Sequence, residues 1–210
     1  MYKKLTDEQI QIIIDSGIAE FAREGYVGAN LSKIAKGAGV SVGVIYKYYS
    51  DKEALFLACV RYGLNALTEA LKEVAIRSDD LTESIRSVVK TLIKHAKKNT
   101  DINRMYNEIT SGGAKQFAGF LAEEIEGISA LVYTDLLRIA REKGKVRKDL
   151  DPGRAAFFLD NLFMMLQFSY SCDYYKERFK LYCGGKALSE DAAMEDELVK
   201  FIKYALGISE

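Results

Sequence analysis

The chain has 210 residues, with 30 Lys plus Arg balancing 30 Asp plus Glu, 49% hydrophobic and 29% charged residues. This composition excludes wholesale disorder and collagen-like or mucin-like character. Zero net charge excludes a histone-like polycation, so any contact with nucleic acid must come from a local basic patch.

One proline in the whole chain favours long, uninterrupted helices. Three widely spaced cysteines (Cys59, Cys172, Cys183) and a charged amphipathic N-terminus in place of a secretory signal point to a reducing cytoplasm. The apolar run from Ala155 to Cys172 is of helix length but contains Asp160, Asn161 and Gln167. A central Asp costs about 2.5–3.5 kcal/mol on insertion, so the run reads as a helix buried in protein, with no membrane partner.

A first helix is expected from Asp7 to Glu24. Ile10, Ile13, Ile14, Gly17, Ile18, Phe21 and Ala22 fall on one face. Thr6 and Gln9 form a capping box and Gly25 stops the helix. A second, short helix runs from Leu31 to Ala38 with Asn30 as N-cap. Gly39 supplies a left-handed turn, Ser41 caps a third helix from Val42 to Tyr49, and that helix is too short to stand without packing. Ser50 and Glu53 read as a second capping box, opening a fourth helix that reaches about Arg77.

A fifth helix covers Leu81–Lys98, a short sixth Ile102–Thr110, and a seventh Lys115–Lys143. Asp151-Pro152 is a strong start signal for an eighth, expected to reach Tyr182. Gly184-Gly185 breaks the chain, and Ser189 is expected to cap a ninth and last helix to Leu206. Alternating strand patterns are absent, so the fold class is all-α with about nine helices. The division is residues 1–50, a unit of three helices, and 51–210, the remaining helices.

Two short helices joined by a glycine turn after a longer supporting helix make a helix-turn-helix. The second short helix must show one face to a major groove about 12 Å wide while the other face is held. Val40, Ile45 and Tyr49 can face the three-helix core, which leaves Val42, Gly43, Val44, Tyr46, Lys47 and Tyr48 nearer DNA. Residues 30–52 carry Lys33, Lys36, Lys47 and Lys52 against the single acid Asp51, a local excess of positive charge. Lys52 falls in a first helical turn, where free backbone N–H groups also attract phosphate.

The segment FAREGYVGANLSKIAKGAGVSVGVIYKYYSDKEALF resembles the DNA-binding region of the tetracycline-repressor (TetR) family. The matching residues are Phe21, Gly25-Tyr26, Ile34-Ala35, Ala38-Gly39-Val40-Ser41, Gly43, Tyr46, Tyr48-Tyr49, Lys52-Glu53 and Leu55. The resemblance covers roughly residues 7 to 57. It implies a homodimer, a near-palindromic double-stranded operator, and a C-terminal cavity whose small-molecule effector controls DNA affinity. Carried over by position, Asn30 and Ser32 lie near DNA. Ser41, Val42, Gly43 and Val44 start the recognition helix, and Tyr46, Lys47, Tyr48 and Lys52 hold phosphates. The sequence departs from the family at 42 and 44, commonly a long and a small polar residue. Valine cannot hydrogen-bond a base edge but can touch a thymine methyl. Gly17 replaces a usual alanine and is expected only to loosen the first helix.

The eighth helix is apolar on nearly every side, so one face should meet its own domain and the other a second subunit, together with the ninth helix. Candidate effector contacts are Tyr62, His95, Tyr106, Phe117, Phe120, Tyr133, Phe158 and Met165, suited to an apolar or amphipathic molecule. His95 reads first as a satisfied or half-exposed helix residue. A single histidine and the lack of Cys-x-x-Cys spacing argue against a zinc site, a cofactor or a Ser-His-Asp triad. Glu123, Glu124 and Glu126 read as a solvated face. The leading reading is therefore a ligand-responsive transcriptional repressor and not an enzyme. The alternative is a helical dimer that binds a small molecule or protein and has lost operator recognition.

Overall fold

The computed structural model describes residues 4–75 and 80–208. Among these, ten α-helices follow one another without a strand: α1 (Asp7–Gly28), α2 (Leu31–Gly37), α3 (Val42–Tyr48), α4 (Lys52–Ala75), α5 (Leu81–Lys98), α6 (Thr100–Glu108), α7 (Ala118–Glu142), α8 (Pro152–Ser171), α9 (Asp173–Cys183) and α10 (Asp191–Leu206). A π-helical turn (Ile109–Gly113) and a 3-10 turn (Lys115–Phe117) lie before α7, and a 3-10 turn (Gly185–Ser189) lies before α10. None of these helices is long and apolar enough to cross a membrane.

The start of α1 is the expected capping box, with Gln9 N–H donating to Thr6 Oγ1 at 3.3 Å and Thr6 N–H to Gln9 Oε1 at 3.0 Å. Gly25 breaks the helical dihedrals at φ 67°, and one further turn carries the chain to Gly28. Three boundaries differ from expectation. Asp51, not Ser50, caps α4: its Oδ1 accepts Ala54 N–H at 2.8 Å, while the Ser50 hydroxyl donates to Asp51 Oδ2 at 3.1 Å. The ionised carboxylate is the stronger acceptor for a free N–H. Ser189 does not cap α10 either; its hydroxyl donates to Lys186 O at 2.7 Å and closes the 3-10 turn. The helix expected from 152 to 182 is two helices, broken where Cys172 adopts an extended conformation (φ −104°, ψ 133°). Neither glycine nor proline marks that break. The end of α4 expected at Arg77 lies outside the described residues.

The chain forms two compact units. The first comprises Met1–Ala66 with Asp101–Gly119, the second Leu67–Thr100 with Phe120–Glu210. The motif boundary at residue 50 is therefore not where the units divide. The first part of α4 and residues 101–119 complete the core of the first unit, in which Ile13, Phe21, Ile34, Ile45, Leu55 and Phe56 are buried together with Met105 and Phe117. The Phe56 ring lies 5.0 Å from both Phe21 and Tyr26, and Phe117 stands edge-on to Tyr26 at 5.1 Å.

The second unit is built on Val89, Leu92 and Ala96 of α5, Leu137 of α7, Leu159 and Phe163 of α8, and Val199 and Ile202 of α10. Ion pairs tie α10 to α5 at its rim: Arg86 to Glu195 at 3.0 Å, and Lys97 to Asp191 at 2.6 Å.

Candidate nucleic-acid interface

The turn between α2 and α3 is set by backbone chemistry. Gly39 takes φ 67°, Gly39 N–H donates to Lys36 O at 3.2 Å, and Val40 N–H donates to Ala35 O at 3.0 Å. These bonds satisfy the last carbonyls of α2 in a Schellman arrangement that needs a left-handed residue. The Ser41 hydroxyl then accepts Val44 N–H at 3.4 Å and opens α3. Asn30 does the same for α2, accepting Ser32 N–H at 2.8 Å.

A seven-residue helix cannot hold itself together. Ile45, fully buried, fastens α3 to the core, and Val40 and Tyr49 are half-buried beside it. The opposite side is open. Ser41, Gly43, Tyr46 and Lys47 are exposed, with Tyr46 at 53%, while Val42 and Val44 are half-buried. Asn30 and Ser32, at the start of α2, are also exposed. Tyr48 is half-buried, and its hydroxyl oxygen accepts Leu5 N–H at 2.6 Å, which ties the segment before α1 to the end of α3. The hydroxyl keeps its own proton to donate.

The charge of this surface is more balanced than its sequence window. Lys33 lies 3.4 Å from Glu24 and 3.9 Å from Glu20 of α1, and its ammonium helps hold the Glu24 carboxyl below the usual carboxylate range, after the larger contribution of Arg23. Lys52 donates to Val27 O at 3.0 Å and Ala29 O at 3.3 Å, and its ammonium lies 4.9 Å from the centre of the Tyr26 ring. It thus neutralises the carbonyl end of α1, a role the linear sequence does not suggest.

Glu20 was not singled out from the sequence. It is buried, its Oε1 accepts Asn30 N–H at 3.2 Å, and its Oε2 is paired with Arg23. An acid seven residues after Ile13, on the inward face of α1, is the signal that could have found it. It fixes the entry to α2.

The expected effector contacts are spread over both units. Tyr62, Tyr106 and Phe117 belong to the first; Tyr62 is exposed, Tyr106 half-buried, and Phe117 part of the aromatic core. The other five belong to the second. Phe120 and Phe158 are exposed, Met165 is half-buried, and Tyr133 is buried edge-on to Phe163 at 5.7 Å. His95 corrects the expectation of a satisfied or half-exposed residue: it is buried, and neither ring nitrogen has a partner. Burial, then the charge of Lys98, lowers its pKa, which keeps the imidazole neutral. Among the described residues no group of three or more His, Cys, Asp or Glu side chains could hold a metal ion.

A short helix propped outward across a glycine turn, with its polar face bare, is a helix-turn-helix DNA-binding unit. Residues 13–59 match the family described as "Bacterial regulatory proteins, tetR family". The chain is similar to the fatty acid metabolism regulator protein of Bacillus subtilis, 26% identical over 145 residues, 62% of this chain and 74% of that one. Its fold is that of a tetR-family regulatory protein from Rhodococcus RHA1, with TM-score 0.75 and 19% identity, covering 98% of this chain and 100% of the other. It is likewise that of the ketosteroid transcriptional regulator KstR2 of Mycobacterium tuberculosis, with TM-score 0.69 and 16% identity over 99% of this chain and 97% of the other. The chain is a DNA-binding transcriptional regulator.

Proposed function

We propose that the protein is a homodimeric transcriptional repressor that leaves a near-palindromic operator when a small apolar or amphipathic molecule binds. The observation that carries this reading is the open face of α3, fastened from behind by Ile45 and capped by Ser41. In this reading residues 1–50 hold the DNA. Ser41, Val42, Gly43 and Val44 meet bases, Asn30, Ser32, Tyr46, Lys47 and Tyr48 meet the backbone, and Lys52 supports the base of the motif. Residues 51–210 bind the effector and dimerise, and the protein works in the cytoplasm.

Exposed aromatic residues support a dimer through α8 and α10, the eighth and ninth helices of the sequence reading. Phe157 and Phe158 on α8 are 64% and 63% exposed, and Phe201 and Tyr204 on α10 are also bare. Apolar surface of this kind marks an interface. Two half-sites about one helical turn apart then match the two-fold axis. The apolar effector is supported by two relatives whose names refer to fatty acid and ketosteroid regulation. A ligand changes DNA affinity only by binding one conformation better than another.

The test is electrophoretic mobility shift on DNA flanking the gene, with mass determination by light scattering. A specific shift, a dimer mass and a steep loss of affinity with salt are expected; a monomer that ignores DNA at low salt overturns the reading. Valine at both 42 and 44 favours a second reading, a dimer without operator recognition. Val44→Ala separates the two. It should change the preference among operator sequences if α3 reads bases, and change nothing if it does not.

A further inference from the structure

Tyr48 closes α3, and its hydroxyl oxygen accepts Leu5 N–H at 2.6 Å across 43 residues of sequence. Leu5 stands two residues before α1, in a stretch with no helical structure of its own. Segments of this kind stay loose unless something ties them down. Here a backbone donor is tied to the last residue of the recognition helix, and Leu5 and Tyr48 are both half-buried. Lys4, immediately before Leu5, is exposed. Lys47, also exposed, carries its ammonium 6.0 Å from the centre of the Tyr48 ring. Two lysines thus flank one phenol, Lys47 by ring contact and Lys4 through the backbone of its neighbour. A recognition helix turns its N-terminal residues to base edges, so its C-terminal end leaves the groove beside the sugar-phosphate backbone. The first turn of α1 supplies no positive side chain there, since it carries Asp7 and Glu8, both exposed.

We propose that the segment before α1 is a further DNA-contacting element, in which Lys4 binds a backbone phosphate at the C-terminal end of α3 and the bond from Leu5 to Tyr48 holds it there. The inference rests on α3 facing DNA, and it adds a contact outside the helix-turn-helix and outside the matched residues 13–59. Lysine is a compact point charge, suited to a phosphate more than to the two-pronged reading of a base edge. The tie fixes the segment before DNA arrives, which removes part of the ordering cost that binding otherwise carries. It also prepares Tyr48. A hydroxyl that accepts one hydrogen bond becomes a better donor of its own proton, and that proton is left for a phosphate oxygen. Phosphate contacts carry no sequence information, so Lys4 adds affinity to every duplex alike.

Fluorescence anisotropy of the full chain across a salt series tests the proposal, on a labelled duplex from the DNA flanking its gene and on a scrambled duplex of the same composition. Lys4→Ala should reduce the slope of log affinity against log salt by about 1. It should weaken both duplexes by the same factor and leave the melting temperature unchanged, since Lys4 is exposed. Leu5→Pro removes the N–H but keeps Lys4 and the Tyr48 hydroxyl, and Leu5→Ala keeps the N–H and controls for the lost side chain. The logarithmic loss of affinity from Lys4→Ala should be at most about half as large in the Leu5→Pro background as in the Leu5→Ala background. If Leu5→Pro fails to fold, Tyr48→Phe, which removes the acceptor, takes its place. An unchanged slope in Lys4→Ala, a loss confined to one duplex, or an equal loss in the two backgrounds would overturn the proposal. Lys47→Ala separates it from the wider reading. If Lys47→Ala lowers the slope and Lys4→Ala does not, only the segment before α1 is wrongly assigned. If neither does, α3 does not face DNA.

Discussion

A Cβ on Gly17 would stand 2.7 Å from the sulfur of Cys59, a residue with no exposed surface. The glycine is therefore a contact surface and not merely a loosened turn of helix, as its sequence context suggests. Gly17→Ala gains helix propensity of up to about 1 kcal/mol but overpacks the core, which typically costs about 1–3 kcal/mol. The single variant should melt lower than the parent in urea, and adding Cys59→Ala should restore most of the loss. An additive pair would show that the two side chains do not compete for the same space. Lys52 carries a second residue-scale prediction. Its ammonium is committed to Val27 O and Ala29 O, so Lys52→Ala should lower thermal stability and leave the salt slope of DNA binding unchanged. Lys47→Ala should reduce that slope by about 1. A slope that falls with Lys52→Ala would place phosphate on Lys52.

At the scale of the element, capping and burial set what each helix tolerates. Asp51 holds the first turn of α4 through Ala54 N–H, so Asp51→Ala should cost about 1 kcal/mol, as N-cap losses do. Ser50→Ala removes only a bond to that carboxylate and should cost a few tenths. Equal effects in urea melts would return the cap to Ser50. On α8, Asp160 is half-buried, and burial, then the charge of Glu126, pushes its carboxyl up to about 6. In an unfolded chain it titrates near 4. The folded state thus holds this proton more tightly. The stability it contributes is present below about pH 4, falls as the pH rises to 6, and is gone at pH 7. Asp160→Asn should melt above the parent at pH 7 and lose that advantage toward pH 4. A constant gap across this range would contradict the assignment.

For the molecule as a whole, the helical class, the turn at Gly39 and the caps at Thr6, Asn30, Ser41 and Asp151 were legible because each depends on neighbours within one or two turns. Periodicity at 3.6 residues, a left-handed glycine and a side-chain oxygen before a helix act locally, and the residues around them cannot easily override them. The break at Cys172, the engagement of Lys52 and the buried place of Glu20 were not legible. The contacts involved lie at long sequence separations: 75 residues between Ser171, beside the break, and Ala96, 25 between Lys52 and Val27, and 10 between Glu20 and Asn30. A basic window of four lysines cannot know that acids of α1 will pack beside Lys33. His95 reads as an ordinary helix residue until its helix is packed and no partner meets it. Local order in this chain follows from the backbone's short-range hydrogen-bonding rules. The choice of polar partners, and with it the real charge of the surface around α3, follows from which distant side chains the folded chain brings together.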